Sequence, residues 1–184
     1  VATSEDAWVV KLSESRPLYM MACTESLLSK VKQHPNFDFS HSAQWLSHLL
    51  AEGFPTVTRE TCGEFVPQMM NLQALSGISY NKGCYMGQEV VARTHFLGKN
   101  KRALFVLTGK LQQSPNSGDT LEIKMGENWR RAGVVINSAT HKDLTTLTAV
   151  LSYDTETDAQ LRLKDFPEEI LLISPLPYQI EEKD

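Results

Sequence analysis

Two short apolar runs open the chain. AWVVKLS (residues 7–13) and PLYMMACT (17–24) are β-prone and are separated by the polar ESR, a pattern that predicts paired strands. Thr24 with Ser26 offers an N-cap ahead of LLSKVKQ, and His34-Pro35 ends that short helix. SAQWLSHLLAEG predicts a second helix, begun by a serine cap and stopped at Gly53. Along it Trp45, Leu46, Leu49 and Leu50 recur at helical spacing, which predicts one buried face.

From Phe54 to Lys82 the pattern loosens around Pro55, Gly63, Pro67 and Gly77, with NLQALSG a brief helical turn. GQEVVARTH then predicts a short helix opened by Gly87. Beyond LGKNKR the texture changes to short β-prone segments, RALFVLTG, DTLEIK, RRAGVVINSA, LTTLTAVL and AQLRLK. The turn-rich SPNSGD, MGEN and SYDTETD separate them. Strands at this spacing predict a small antiparallel barrel or sandwich. The expected division lies near Asn100, with an α+β part over 1–99 and an all-β part over 100–184.

Composition narrows the function classes. With 184 residues, 41% hydrophobic and 22% charged, the chain falls in the soluble globular class and can bury a real core. No apolar run approaches the roughly 20 residues of a membrane-spanning helix, and the N-terminus lacks a signal-peptide layout, so the expected compartment is the cytoplasm. Opening at Val1 on a strand with no lead-in reads as part of a longer protein. The net charge of −4 provides no global field for nucleic acid or membrane. Cys23, Cys62 and Cys84 are too few and too widely spaced for a disulfide framework or a CxxC metal site. His34, His41 and His48 recur every seven residues, but Pro35 interrupts the first interval and two helical turns separate the last pair. No metal is therefore expected.

The octet KGCYMGQE (82–89) carries the sharpest local chemistry. Flanking glycines permit unusual backbone conformations and close approach of a ligand. A helix starting near Gly87 would leave Cys84 just before its N-terminus, where unpaired N–H groups and Lys82 favour a thiolate. The competing reading is an inert, packed cysteine in a tight turn. Glu89 could act as a base or orient a ligand, although the helix dipole alone favours a glutamate there. Downstream, Arg93, His95, Lys99, Lys101 and Arg102 form a basic cluster, suited to a phosphate, a polycarboxylate tail or an RNA backbone, or simply to a solvated linker. Without an RNP motif, zinc knuckle or aromatic-interleaved basic stripe, direct RNA reading is not expected. Trp45 suits either the core or a pocket wall that stacks flat heterocycles.

The stretch FVPQMMNLQALSGISYNKGCYMGQEVVAR, with NKRAL downstream, resembles the signature of the YgfZ family, folate-binding tRNA-modifying proteins related to the glycine-cleavage T-protein. The likeness is densest from Trp45 to Leu107 and looser to the C-terminus. It implies a T-protein-like folate-binding α+β region, incomplete at its N-terminus, followed by a small antiparallel β-barrel. It also implies a functional thiol at Cys84 and a folate contact at Trp45, with Tyr85, Gln88, Glu89 and Arg93 as further candidate contacts. The implied cofactor is tetrahydrofolate or a derivative, and the implied role is maintenance of iron–sulfur tRNA-modifying enzymes rather than conventional turnover. A pterin would stack on Trp45 and its glutamate tail would meet the basic cluster. A second folate-contacting tryptophan of the family lies upstream of this chain, and Met86 stands where the family commonly has threonine. Two other functions compete. One is a folate-dependent aminomethyl or one-carbon transferase, which the absence of an aspartate near the octet disfavours. The other is a direct tRNA-binding module, which the charge balance disfavours.

Overall fold

The computed structural model describes residues 1–80, 82, 83, 86–96 and 100–180. A three-stranded antiparallel sheet comes first, in the order β1 (Ala2–Thr3), β2 (Ala7–Lys11) and β3 (Tyr19–Cys23). The two apolar runs pair as expected, with Val9 opposite Met21 and Lys11 opposite Tyr19. Thr24 caps α1 (Glu25–Lys32), its hydroxyl accepting from the Leu27 N–H at 3.4 Å.

Helix α2 (Ser42–Ala51) differs in two details from its sequence pattern. Its N-cap is His41, whose side chain makes no capping hydrogen bond, while Ser42 is already the first helical residue. Leu50 is fully buried, but Trp45 is 37% exposed and belongs to the outer side of the helix rather than the buried face. At 100° per residue Trp45 lies at the margin of the arc marked by Leu46, Leu49 and Leu50, so its indole is left partly in solvent.

The second half closes into a barrel. Strands β4 (Arg102–Gly109), β5 (Thr120–Met125), β6 (Asn128–His141), β7 (Leu144–Ser152), β8 (Gln160–Leu163) and β9 (Phe166–Ser174) run antiparallel in the closed order β4-β7-β6-β5-β8-β9. Strand β9 has no counterpart among the sequence-derived segments, because Pro167, Glu168 and Glu169 interrupt its alternation. Inward-facing Phe105, Leu107, Leu121, Val135, Leu147, Leu151, Leu161 and Leu171 fill the interior. Leu104, Ile136 and Val150 point outward and are buried by Met70, Phe65, Met69 and Leu72. Burial on both faces is why RALFVL reads as a continuous apolar run rather than an alternating one. At Gly133 a Cβ would meet the Val150 carbonyl oxygen at 2.1 Å, so β6 and β7 pass too closely there for any side chain.

Helix α2 leans on the outside of β6 and β7, where Ser47 Oγ donates to Thr146 Oγ1 at 3.2 Å. The loop after it is tied to the same sheet by Asn137 Nδ2, which donates to Thr56 Oγ1 at 2.9 Å.

Candidate functional site

The signature octet leads into α3 (Gln88–Phe96). Gly87 stands before the helix with φ +87°, and a Cβ there would meet nothing within 4 Å. Its left-handed backbone, not crowding, is what asks for glycine. Gln88 is half-buried, Glu89 is exposed in the first turn, and Arg93 is exposed in the last. Cys84, Tyr85 and Lys99 lie outside the described residues. Val91 is the buried anchor of the helix, while Met86, Val90 and Phe96 face solvent. His95 stacks on Tyr80 with ring centroids 3.8 Å apart and planes at 12°, and Phe96 packs edge-on against both. Of the basic cluster, Arg93, Lys101 and Arg102 are exposed, whereas His95 is half-buried in this aromatic stack.

Below α3 lies a polar frame built by the preceding PQMMN. A 3-10 turn over Pro67–Met70 ends at Asn71, which is fully buried at φ +56°. The Asn71 side chain pairs with both backbone groups of Leu104: Nδ2 donates to the carbonyl at 2.8 Å and Oδ1 accepts from the N–H at 3.1 Å. Strand β9 covers β4 only from Val106 to Thr108, so this edge of Leu104 is left to the asparagine. Buried Gln68 donates from Nε2 to the Val91 carbonyl in α3 at 2.6 Å, while its backbone carbonyl accepts from Asn100 Nδ2 at 2.8 Å. Through these two amides the segment fixes α3, and hence the approach to the octet, against the first barrel strand. In the sequence PQ-x-x-N stands out only as part of a signature. The local sign of its role is an amide side chain in an otherwise apolar run.

Trp45 sits on α2, and among the described residues its indole has neither a hydrogen-bond nor a ring partner. Seven residues further along α2, Glu52 is the C-cap, with a side chain only 3% exposed. Arg16, in the β2–β3 loop, places Nε 3.1 Å from Glu52 Oε1. The N–H is not aligned on that oxygen, so the contact is an ion pair rather than a hydrogen bond. Ser15 Oγ donates to Glu52 Oε2 at 3.4 Å. Neither Arg16 nor Glu52 stands out in the sequence, since the partners are far apart along the chain. Among the described residues no group of histidine, cysteine, aspartate or glutamate side chains could hold a metal ion, and no helix is long and apolar enough to cross a membrane.

Residues 100–166 match the family model described as the YgfZ β-barrel domain. A protein of Serratia proteamaculans named tRNA-modifying protein YgfZ is 43% identical over 163 residues, covering 88% of this chain and 49% of that relative. Proteins of the same name from Escherichia coli O157:H7 and Yersinia enterocolitica are 47% and 46% identical, over 79% and 78% of this chain and 44% of each relative. The chain belongs to the YgfZ family. It spans about half the length of the curated YgfZ relatives it matches. The closed six-stranded barrel is thus the YgfZ barrel, and the PQMMN frame is what this chain packs against its first strand, with α3 held by that frame.

Proposed function

We propose that this chain is the part of a YgfZ protein that takes a tetrahydrofolate derivative against Trp45 and supports tRNA modification by assisting iron–sulfur enzymes. In this reading residues 1–99 are the second part of a T-protein-like folate-binding region and 100–184 the barrel, and the protein works as an accessory factor with Cys84 as its thiol. The observation that carries it is Trp45: a large indole, 37% exposed on the outer side of a helix whose other apolar residues face the barrel. A side chain costly to leave in water suits a flat ring stacked on it. The name shared by the relatives supports the link to tRNA modification. Gln88, Glu89 and Arg93 on α3, with Tyr85 before it, remain the proposed further folate contacts.

Two measurements test it. Trp45→Ala is expected to weaken 5-formyltetrahydrofolate binding about tenfold or more in calorimetry, as loss of a stacked ring of this size predicts; unchanged affinity removes Trp45 from the site. Cys84→Ser in the full-length protein is expected to lower tRNA methylthiolation in cells towards the level of a deletion strain. Wild-type methylthiolation in that variant would end the thiol role.

A further inference from the structure

We propose that Arg16 is the carboxylate anchor for the ligand that stacks on Trp45, an inference that rests on the folate reading and assigns its acidic end to the β2–β3 loop rather than to the basic cluster at 93–102. Glu52 follows Trp45 by seven residues, nearly two helical turns. It therefore lies on the same side of α2, about 10 Å further along the axis. The buried Glu52 carboxylate holds the Arg16 guanidinium there through Nε, and the arginine side chain remains 52% exposed. Its terminal nitrogens have no partner among the described residues. They are the two donors that bind a carboxylate side by side.

The guanidinium is also held ready by its backbone. Ser13 is buried, and its hydroxyl accepts from the N–H groups of Ser15 at 3.2 Å and Arg16 at 3.1 Å, while the Arg16 carbonyl accepts from the Leu18 N–H at 2.8 Å. Between platform and cation lies the exposed His48, three residues after Trp45 and four before Glu52, which adds a polar flank to the same side. The surface is thus bipolar: a flat apolar ring at Trp45, and a cation held by the carboxylate that lies nearly two helical turns further along α2. A ligand that fits it has a planar heterocycle, a spacer and a terminal carboxylate. The basic residues of α3 and of the start of β4 have no such buried counter-ion to orient them, and Arg93, Lys101 and Arg102 make no ion pair among the described residues.

The experiment compares two ligands by calorimetry: 5-formyltetrahydrofolate, which has the glutamate carboxylates, and biopterin, which has the ring alone. Arg16→Gln should weaken the first about fivefold, in line with an exposed bidentate ion pair, and leave the second within about twofold. Because Arg16→Gln strips a buried carboxylate of its cation, the double variant Arg16→Gln/Glu52→Gln is measured beside it, and it should show the same selective loss at wild-type melting temperature. Equal weakening of both ligands, or no weakening of either in the folded double variant, overturns the anchor. If Trp45→Ala loses both ligands while the arginine variants lose neither, the folate reading stands and only the anchor falls. All variants are made in the full-length protein; if its wild type binds neither ligand, the folate reading fails and the anchor with it.

Discussion

Asn71 performs with one side chain what a neighbouring strand performs with its backbone. Its amide gives a donor and an acceptor to Leu104 at the stretch of β4 that β9 does not reach, and the left-handed φ of +56° brings the side chain into line. Asparagine tolerates that conformation better than most residues. Asn71→Ala would leave both Leu104 backbone groups buried and unpaired, at a cost of roughly 2–4 kcal/mol. Urea denaturation checks this, and a loss below about 1 kcal/mol would mean that water replaces the amide. None of this is legible in the chain as a string, because the partner is far along the sequence and the position looks like one more polar residue in a turn. Arg16 and Glu52 are hidden for the same reason. Gly87, by contrast, was readable: its place ahead of an amphipathic segment announces a helix start, and its φ of +87° agrees.

Between elements, Tyr178 joins three segments. Its hydroxyl donates to the Gly53 carbonyl at 3.0 Å and accepts from Asn71 Nδ2 at 3.5 Å, so the chain after β9 locks the end of α2 onto the PQMMN frame. Gly53 is at φ +69°, and a Cβ there would lie 2.5 Å from the Tyr178 hydroxyl oxygen. Burial raises the Tyr178 pKa above the ordinary tyrosine value, and the Asn71 hydrogen bond pulls it partly back. The folded state therefore prefers the protonated phenol. Its contribution is complete below the unfolded value near 10 and is lost as pH climbs from there towards the folded one. Melting temperature should consequently fall more steeply between about pH 9 and 11 in the wild type than in Tyr178→Phe; parallel slopes would show that the phenol does not titrate against the fold. At this scale the sequence was a partial guide. Spacing revealed α2 and α3, but only packing decides which side of a helix meets a sheet, so Trp45 changed sides. Alternation revealed most of the barrel strands and missed β9, where exposed Glu168 is followed by half-buried Glu169, whose carboxylate accepts from the Gln112 N–H at 2.9 Å where the pattern expected an apolar residue.

Over the whole molecule, the closed barrel carries the densest core, and it is the region that the family model also matches. The N-terminal sheet is different in kind. Trp8, Tyr19, Met20 and Met21 are all exposed on two of its three short strands, and the sheet is linked to α2 by the Arg16–Glu52 pair. The contrast was visible in outline, since regularly spaced β segments with clear turn residues give a stronger signal than two isolated apolar runs. What could not be read is how firmly the parts are joined, because that depends on side-chain amides and one ion pair.

The pairing of Val106 with Ser174 sets an order of events in time. Strand β4 is made first among the barrel strands, yet it gains its second neighbour only when β9 has been synthesised, so closure waits for the most distant of its pairings, the one with the larger loop-closure entropy. Until then the inner residues of β4 stand at an open edge that could recruit a strand from another chain. Asn71, which precedes β4 and needs no later residue to grip Leu104, can cover part of that edge during the wait. The same amide that completes the first barrel strand in the finished protein thus also shields it in the nascent one.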